Sequence, residues 1–63
     1  MNIAICDDEI LFTRELSSLL THWAEKNNLS LTLYPYSNGD DLLTALRTIP
    51  VDLIFLDIIM PLL

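Results

Sequence analysis

Positive charge is scarce in this chain: Arg14, Lys26 and Arg47 stand against nine Asp and Glu. Three scattered cations cannot form the basic patch that holds nucleic acid by its phosphates. A net charge of −6 suits a cation or a basic partner surface instead. The single cysteine, Cys6, excludes an internal disulfide and agrees with a reducing compartment. The single glycine, Gly39, excludes a glycine-rich phosphate cradle. No apolar run approaches the ~20 residues a membrane span needs. The opening MNIAICDDE has neither a basic n-region nor a cleavage site. These absences predict a cytoplasmic chain, not in the membrane, with no nucleic acid bound by this segment.

What is abundant is apolar surface. Hydrophobic residues make up 52% of 63 positions and mean hydropathy is +0.46, which points to buried strands rather than disorder. A chain of about 60 residues is one small domain that buries only roughly 60% of its unfolded surface, so its core is marginal. Asn2-Ile3-Ala4-Ile5-Cys6 reads as a buried strand stopped by Asp7-Asp8-Glu9. Phe12, Leu16, Leu19, Leu20 and Trp23 then recur at the spacing of one helix face, with Asp8 and Glu9 favouring its start and Asn27-Asn28 its exit. Leu29, Leu31 and Leu33 alternate with Ser30 and Thr32 in a half-exposed strand, and Pro35, which lacks a ladder donor, marks that strand as an edge.

Ser37-Asn38-Gly39-Asp40 has the spacing of a capping box and opens a helix carrying Leu42, Leu43, Leu46 and Ile49 inward; Pro50 ends it. The third strand, Val51-Asp52-Leu53-Ile54-Phe55-Leu56, is apolar on both faces, the habit of a parallel strand covered on both sides, and it runs out at Asp57. In all, strands are expected over about 2–6, 30–36 and 51–57 and helices over about 9–27 and 38–48. Alternating strands and helices imply an α/β fold with a parallel sheet and right-handed crossovers. With the second strand at the edge, the strand order is 2-1-3.

That order brings Asp7, Asp8 and Asp57 to the carboxyl ends of neighbouring strands, where open α/β sheets bind ligands. Three converging carboxylates repel one another unless a cation neutralises them. An all-oxygen cluster suits Mg²⁺, which takes one or two carboxylates, waters and phosphate oxygens. An aspartate beside such a metal can act as a nucleophile toward a phosphoryl donor.

The Asp7-Asp8 doublet, Ser37-Asn38-Gly39 and the DLIFLDIIMP segment around Asp57 together resemble the first half of a receiver domain of a two-component response regulator. MNIAICDDE and FLDIIMP are similar to regulators whose output domain is of the LytTR DNA-binding type. The resemblance covers the whole chain and implies a βαβαβ part of a flavodoxin-like (CheY-like) doubly wound sheet. It implies that Asp57 is the phosphoacceptor served by a histidine kinase. It also implies that Asp7, Asp8, Asp57 and the backbone carbonyl of Ile59 hold Mg²⁺, that Pro61 shapes the following loop, and that an output domain regulates transcription. Residues 1–63 then stand as a truncated receiver, not an enzyme beyond self-phosphorylation of Asp57, because the family's later Ser/Thr and Lys have no counterpart here. Leu62-Leu63 also replace the small, polar residues that usually follow Met-Pro.

Two other functions compete. An aspartyl-phosphate hydrolase of the haloacid dehalogenase kind also uses a strand-end Asp and Mg²⁺, but it wants a nucleophile-x-acid spacing, and here the acids are adjacent. An assembly module would use the apolar third strand, whose open edge is a template for pairing, as a homodimer or larger. The remaining residues have ordinary readings: His22 as a surface or packing residue, Cys6 as a small core hydrophobe, Trp23 as core or interface, Phe55 as strand core and Met60 as loop packing.

Overall fold

The computed structural model describes the backbone of residues 1–57 and the side chains through Leu56. Five elements follow one another: β1 (Asn2–Asp7), α1 (Ile10–Lys26), β2 (Thr32–Tyr36), α2 (Gly39–Leu46) and β3 (Leu53–Asp57). The strands form one parallel sheet of order β2-β1-β3. The α/β class, the element order and the strand order are those expected. Each helix starts one residue later and ends one or two earlier than periodicity suggested, β2 and β3 start two later, and β1 continues through Asp7.

β1 is the centre of the molecule. Ile3, Ala4, Ile5 and Cys6 are essentially inaccessible, because both strands flank β1 and a helix lies over each of its faces. Ala4 and Cys6 point to the side covered by α2, where Leu42 completes the core with Tyr36 and Val51 against it. Ile3 and Ile5 therefore point to the α1 side, as alternation along a strand requires. The start of the sheet is laced by polar bonds. Asn2 N–H donates to Asp52 Oδ2 at 2.7 Å, Asn2 Nδ2 to the Pro50 carbonyl at 2.7 Å, and the N-terminal ammonium to the Ser30 carbonyl at 2.7 Å.

α1 leaves through Asn27-Asn28 as expected. Asn28 takes a left-handed φ of 55°, its N–H donates to the Glu25 carbonyl at 3.3 Å, and Leu29 N–H donates to the Ala24 carbonyl at 2.8 Å. This is a Schellman closure with Asn in the position usually given to Gly.

Several expected core positions are corrected. α1 buries Ala24, with Leu16 and Leu20 half-buried, while Phe12, Leu19 and Trp23 stay largely exposed. The apolar stripe of α1 is wider than the sheet surface it meets, so its centre is buried and one flank is left over. On α2 only Leu42 is buried, Ile49 just beyond its end is half-buried, and Leu43 and Leu46 are exposed. β3 is not a covered central strand: Leu53, Ile54, Phe55 and Leu56 are all exposed, because α1 packs chiefly on β1 and α2 on β1 and β2. The capping box is shifted by one. Asn38 is the cap; its Oδ1 accepts from Asp41 N–H at 2.9 Å and its Nδ2 donates to Asp41 Oδ2 at 3.0 Å. The Asn38 amide both accepts and donates, so its side chain meets Asp41 twice, at the backbone N–H and at the carboxylate.

Candidate functional site

β1 and β3 run side by side and in parallel, and their last residues, Asp7 and Asp57, are direct register partners. Neighbouring strands lie about 4.8 Å apart, so the backbones of the two aspartates are adjacent at the carboxyl end of the sheet. Asp8 follows in the bend that leads to α1, and its side chain is exposed. Three expected site residues therefore share one end of two neighbouring strands. Ile59, Met60 and Pro61 lie outside the described residues.

Asp7 differs from Asp8 in its surroundings. It is the one buried charged residue among the described side chains, and its Oδ1 accepts the Glu9 N–H at 2.8 Å. Burying a carboxylate is costly unless its oxygens are satisfied. The bond to Glu9 offsets part of that cost and turns the chain from β1 toward α1. Among the described residues it is the one hydrogen bond to the Asp7 carboxylate, and it engages Oδ1. Glu9 itself makes no side-chain cap, so the first turn of α1 begins beside the acids without one.

Two shallow grooves flank this end of the sheet. One, of about 260 Å³, is lined by Ile5, Cys6, Asp7, Phe12, Leu16, Phe55 and Leu56. The other, of about 290 Å³, is lined by Asp7, Ile10, Thr13, Pro35, Tyr36 and Ser37. Asp7 borders both.

The Cys6 thiol lies directly behind the acids and donates to the Asn38 carbonyl at 3.2 Å, tying the end of β1 to the cap of α2. Burial pushes the thiol's pKa up, and the negative charges of Asp7 and Asp41 push it further. Its core role was expected from the sequence. The link to Asn38 was not, and the cue for it was the cap signal after the second strand.

Among the described side chains, no group of three His, Cys, Asp or Glu converges on one point. The chemistry of the donors present still fits Mg²⁺: among the described residues only one carboxylate oxygen of Asp7 has a partner, Asp8 is exposed, and all the donors are oxygen. No helix among the described residues is long and apolar enough to cross a membrane. Comparison with protein-family models, with curated proteins and with solved structures finds no match in any of the three.

Proposed function

We propose that this chain is a phosphoacceptor module of the receiver kind, built on a flavodoxin-like sheet, with Asp57 accepting a phosphoryl group from a histidine kinase. The observation that carries this reading is the register of β1 and β3, which sets Asp7 opposite Asp57 with Asp8 next in the chain. A strand-end carboxylate flanked by two more is an arrangement suited to phosphoryl transfer and poorly suited to stand alone.

In the transfer, a carboxylate oxygen of Asp57 forms the O–P bond while the N–P bond to the donor imidazole breaks, and that nitrogen then takes up a proton. Asp7, held in place by the Glu9 N–H, and the exposed Asp8 would hold Mg²⁺ together with Asp57 and the Ile59 carbonyl. Bound there, Mg²⁺ supplies charge neutralisation for the carboxylates and the transferring group. The adjacent spacing of Asp7 and Asp8 disfavours the hydrolase alternative. The setting consistent with this role is the cytoplasm, with transcription regulated through an output domain of LytTR type.

The test is intact mass after incubating the folded chain with Mg²⁺ and a small acyl phosphate. Gain of one phosphoryl group, lost in Asp57→Asn and with a chelator, is expected. No gain in a folded sample overturns the reading.

A further inference from the structure

Four asparagines occur in the chain, Asn2, Asn27, Asn28 and Asn38, and Asn38 alone is followed by glycine. The backbone nitrogen after an asparagine can attack that residue's side-chain Cγ and close a five-membered ring. Two things oppose the attack: a Cβ on the following residue, which crowds the approach, and a hydrogen bond that occupies the attacking N–H. Three of the four sites meet both obstacles. Ile3, after Asn2, is β-branched and buried in the central strand, which is paired on both sides. Asn28 N–H donates to the Glu25 carbonyl at 3.3 Å and Leu29 N–H to the Ala24 carbonyl at 2.8 Å, in the closure that ends α1.

Asn38-Gly39 meets neither. Gly39 has no Cβ, and it is the first residue of α2, where N–H groups have no acceptor within the helix. What restrains this site is the cap. Asn38 holds an extended ψ of 162°, and ring closure requires the Gly39 nitrogen to swing toward Cβ, so the cap opens before the ring forms. That opening is within reach: α2 spans eight residues, fewer than the ~12–15 at which an isolated helix becomes marginal, and Leu42 is its one buried residue.

We propose that Asn38 is a modification site, at which the chain deamidates itself through a succinimide. The Gly39 nitrogen gives up its proton as its bond to Asn38 Cγ forms; the bond from Cγ to Nδ2 then breaks, and ammonia leaves carrying that proton. Water opens the ring at either carbonyl, leaving aspartate or, with the main chain rerouted through the side chain, isoaspartate. Both products weaken the cap. Aspartate keeps an acceptor for the Asp41 N–H but loses the Nδ2 donor, and sets its own carboxylate against that of Asp41 where a 3.0 Å bond stood. Isoaspartate adds a methylene to the main chain and displaces the carbonyl that accepts the Cys6 thiol at 3.2 Å. The change therefore loosens α2 from the acid-bearing end of β1. It is independent of the phosphoacceptor reading, because both reacting groups belong to two adjacent residues.

The test is ageing of the full chain at mildly alkaline pH, with circular dichroism confirming that it stays folded and peptide mass mapping reading each asparagine. Amide-to-acid conversion is expected at position 38, at least tenfold faster than at positions 2, 27 and 28. Gly39→Ala slows it at least tenfold; Gly39 has no positive φ, so alanine fits there and favours the helix. In the isoaspartate form, separated by chromatography, the Asp41 amide exchanges its hydrogen at least tenfold faster than in fresh protein. No conversion at position 38 in the folded sample overturns the proposal, as does conversion spread evenly over the four asparagines or left unchanged by Gly39→Ala. An isoaspartate form whose Asp41 amide stays as protected as before overturns the link to α2.

Discussion

Leu42 and Leu43 are neighbours of identical chemistry on α2, yet one is 5% exposed and the other 63%. Leu42 closes the core over Ala4 and Cys6, with Tyr36 and Val51 packed against it. Leu→Ala at a buried site costs about 2–5 kcal/mol, the spread reflecting how far the surroundings collapse. The neighbours of Leu42 are few and partly open, so about 2–3 kcal/mol is expected. At roughly 0.05–0.15 kcal/mol per residue, a 63-residue domain holds about 3–9 kcal/mol in all. Leu42→Ala therefore removes at least about a fifth of the stability, and most of it if the total lies at the low end. Leu43→Ala, a surface change, stays within about 0.5 kcal/mol of wild type. Urea unfolding followed by circular dichroism at one fixed protein concentration measures both. With a slope near 1 kcal/mol/M, typical of small domains, Leu42→Ala lowers the midpoint by about 2–3 M. Equal effects at the two positions, or a Leu42→Ala midpoint within 0.5 M of wild type, would refute this placement of the core.

Two further outcomes follow from local geometry. Asn28 sits at a φ of 55°, which Gly adopts freely and β-branched residues resist, so Asn28→Gly keeps or slightly raises the thermal midpoint and Asn28→Val lowers stability by about 1–2 kcal/mol in the same urea assay. The Cys6 thiol has a raised pKa when folded, so above its ordinary value of 9.0 the unfolded chain loses a proton that the folded chain keeps. Stability is then full below that pH and declines as pH rises toward the folded value; the decline is absent in Cys6→Ala, and Asp7→Asn lowers the pH at which the folded thiol titrates, read by ultraviolet absorbance of the thiolate.

The strand order was legible because two local signals agreed. Pro35 and the polar alternation before it suited an edge, and the uninterrupted apolarity of residues 3–6 suited the centre. The exit of α1 was legible for a similar reason, since an Asn pair tolerates the left-handed turn that ends a helix. Burial on the helices was less so. Periodicity gives the direction of an apolar stripe but not the width of the surface it meets, so Phe12, Leu19 and Trp23 read as core although the sheet reaches only as far as Leu16, Leu20 and Ala24. β3 shows the same limit in another form: apolarity on both faces states what the strand requires, not whether a helix covers it. At the candidate site, the shared position of Asp7 and Asp57 followed from strand order alone. The bond from Glu9 to Asp7 and the thiol link from Cys6 to Asn38 depend on how loops turn, which no spacing of residues reveals.

The most direct measurement is the location of the phosphoryl group. After incubation with Mg²⁺ and an acyl phosphate, borohydride reduction converts an aspartyl phosphate to homoserine, and peptide mass mapping then identifies the position. Phosphoryl transfer by the strand-end acids predicts homoserine at position 57 alone, with a yield that falls when Asp8→Asn weakens the metal site. Homoserine at position 7 or 8, or none at any position in a folded sample, would contradict it.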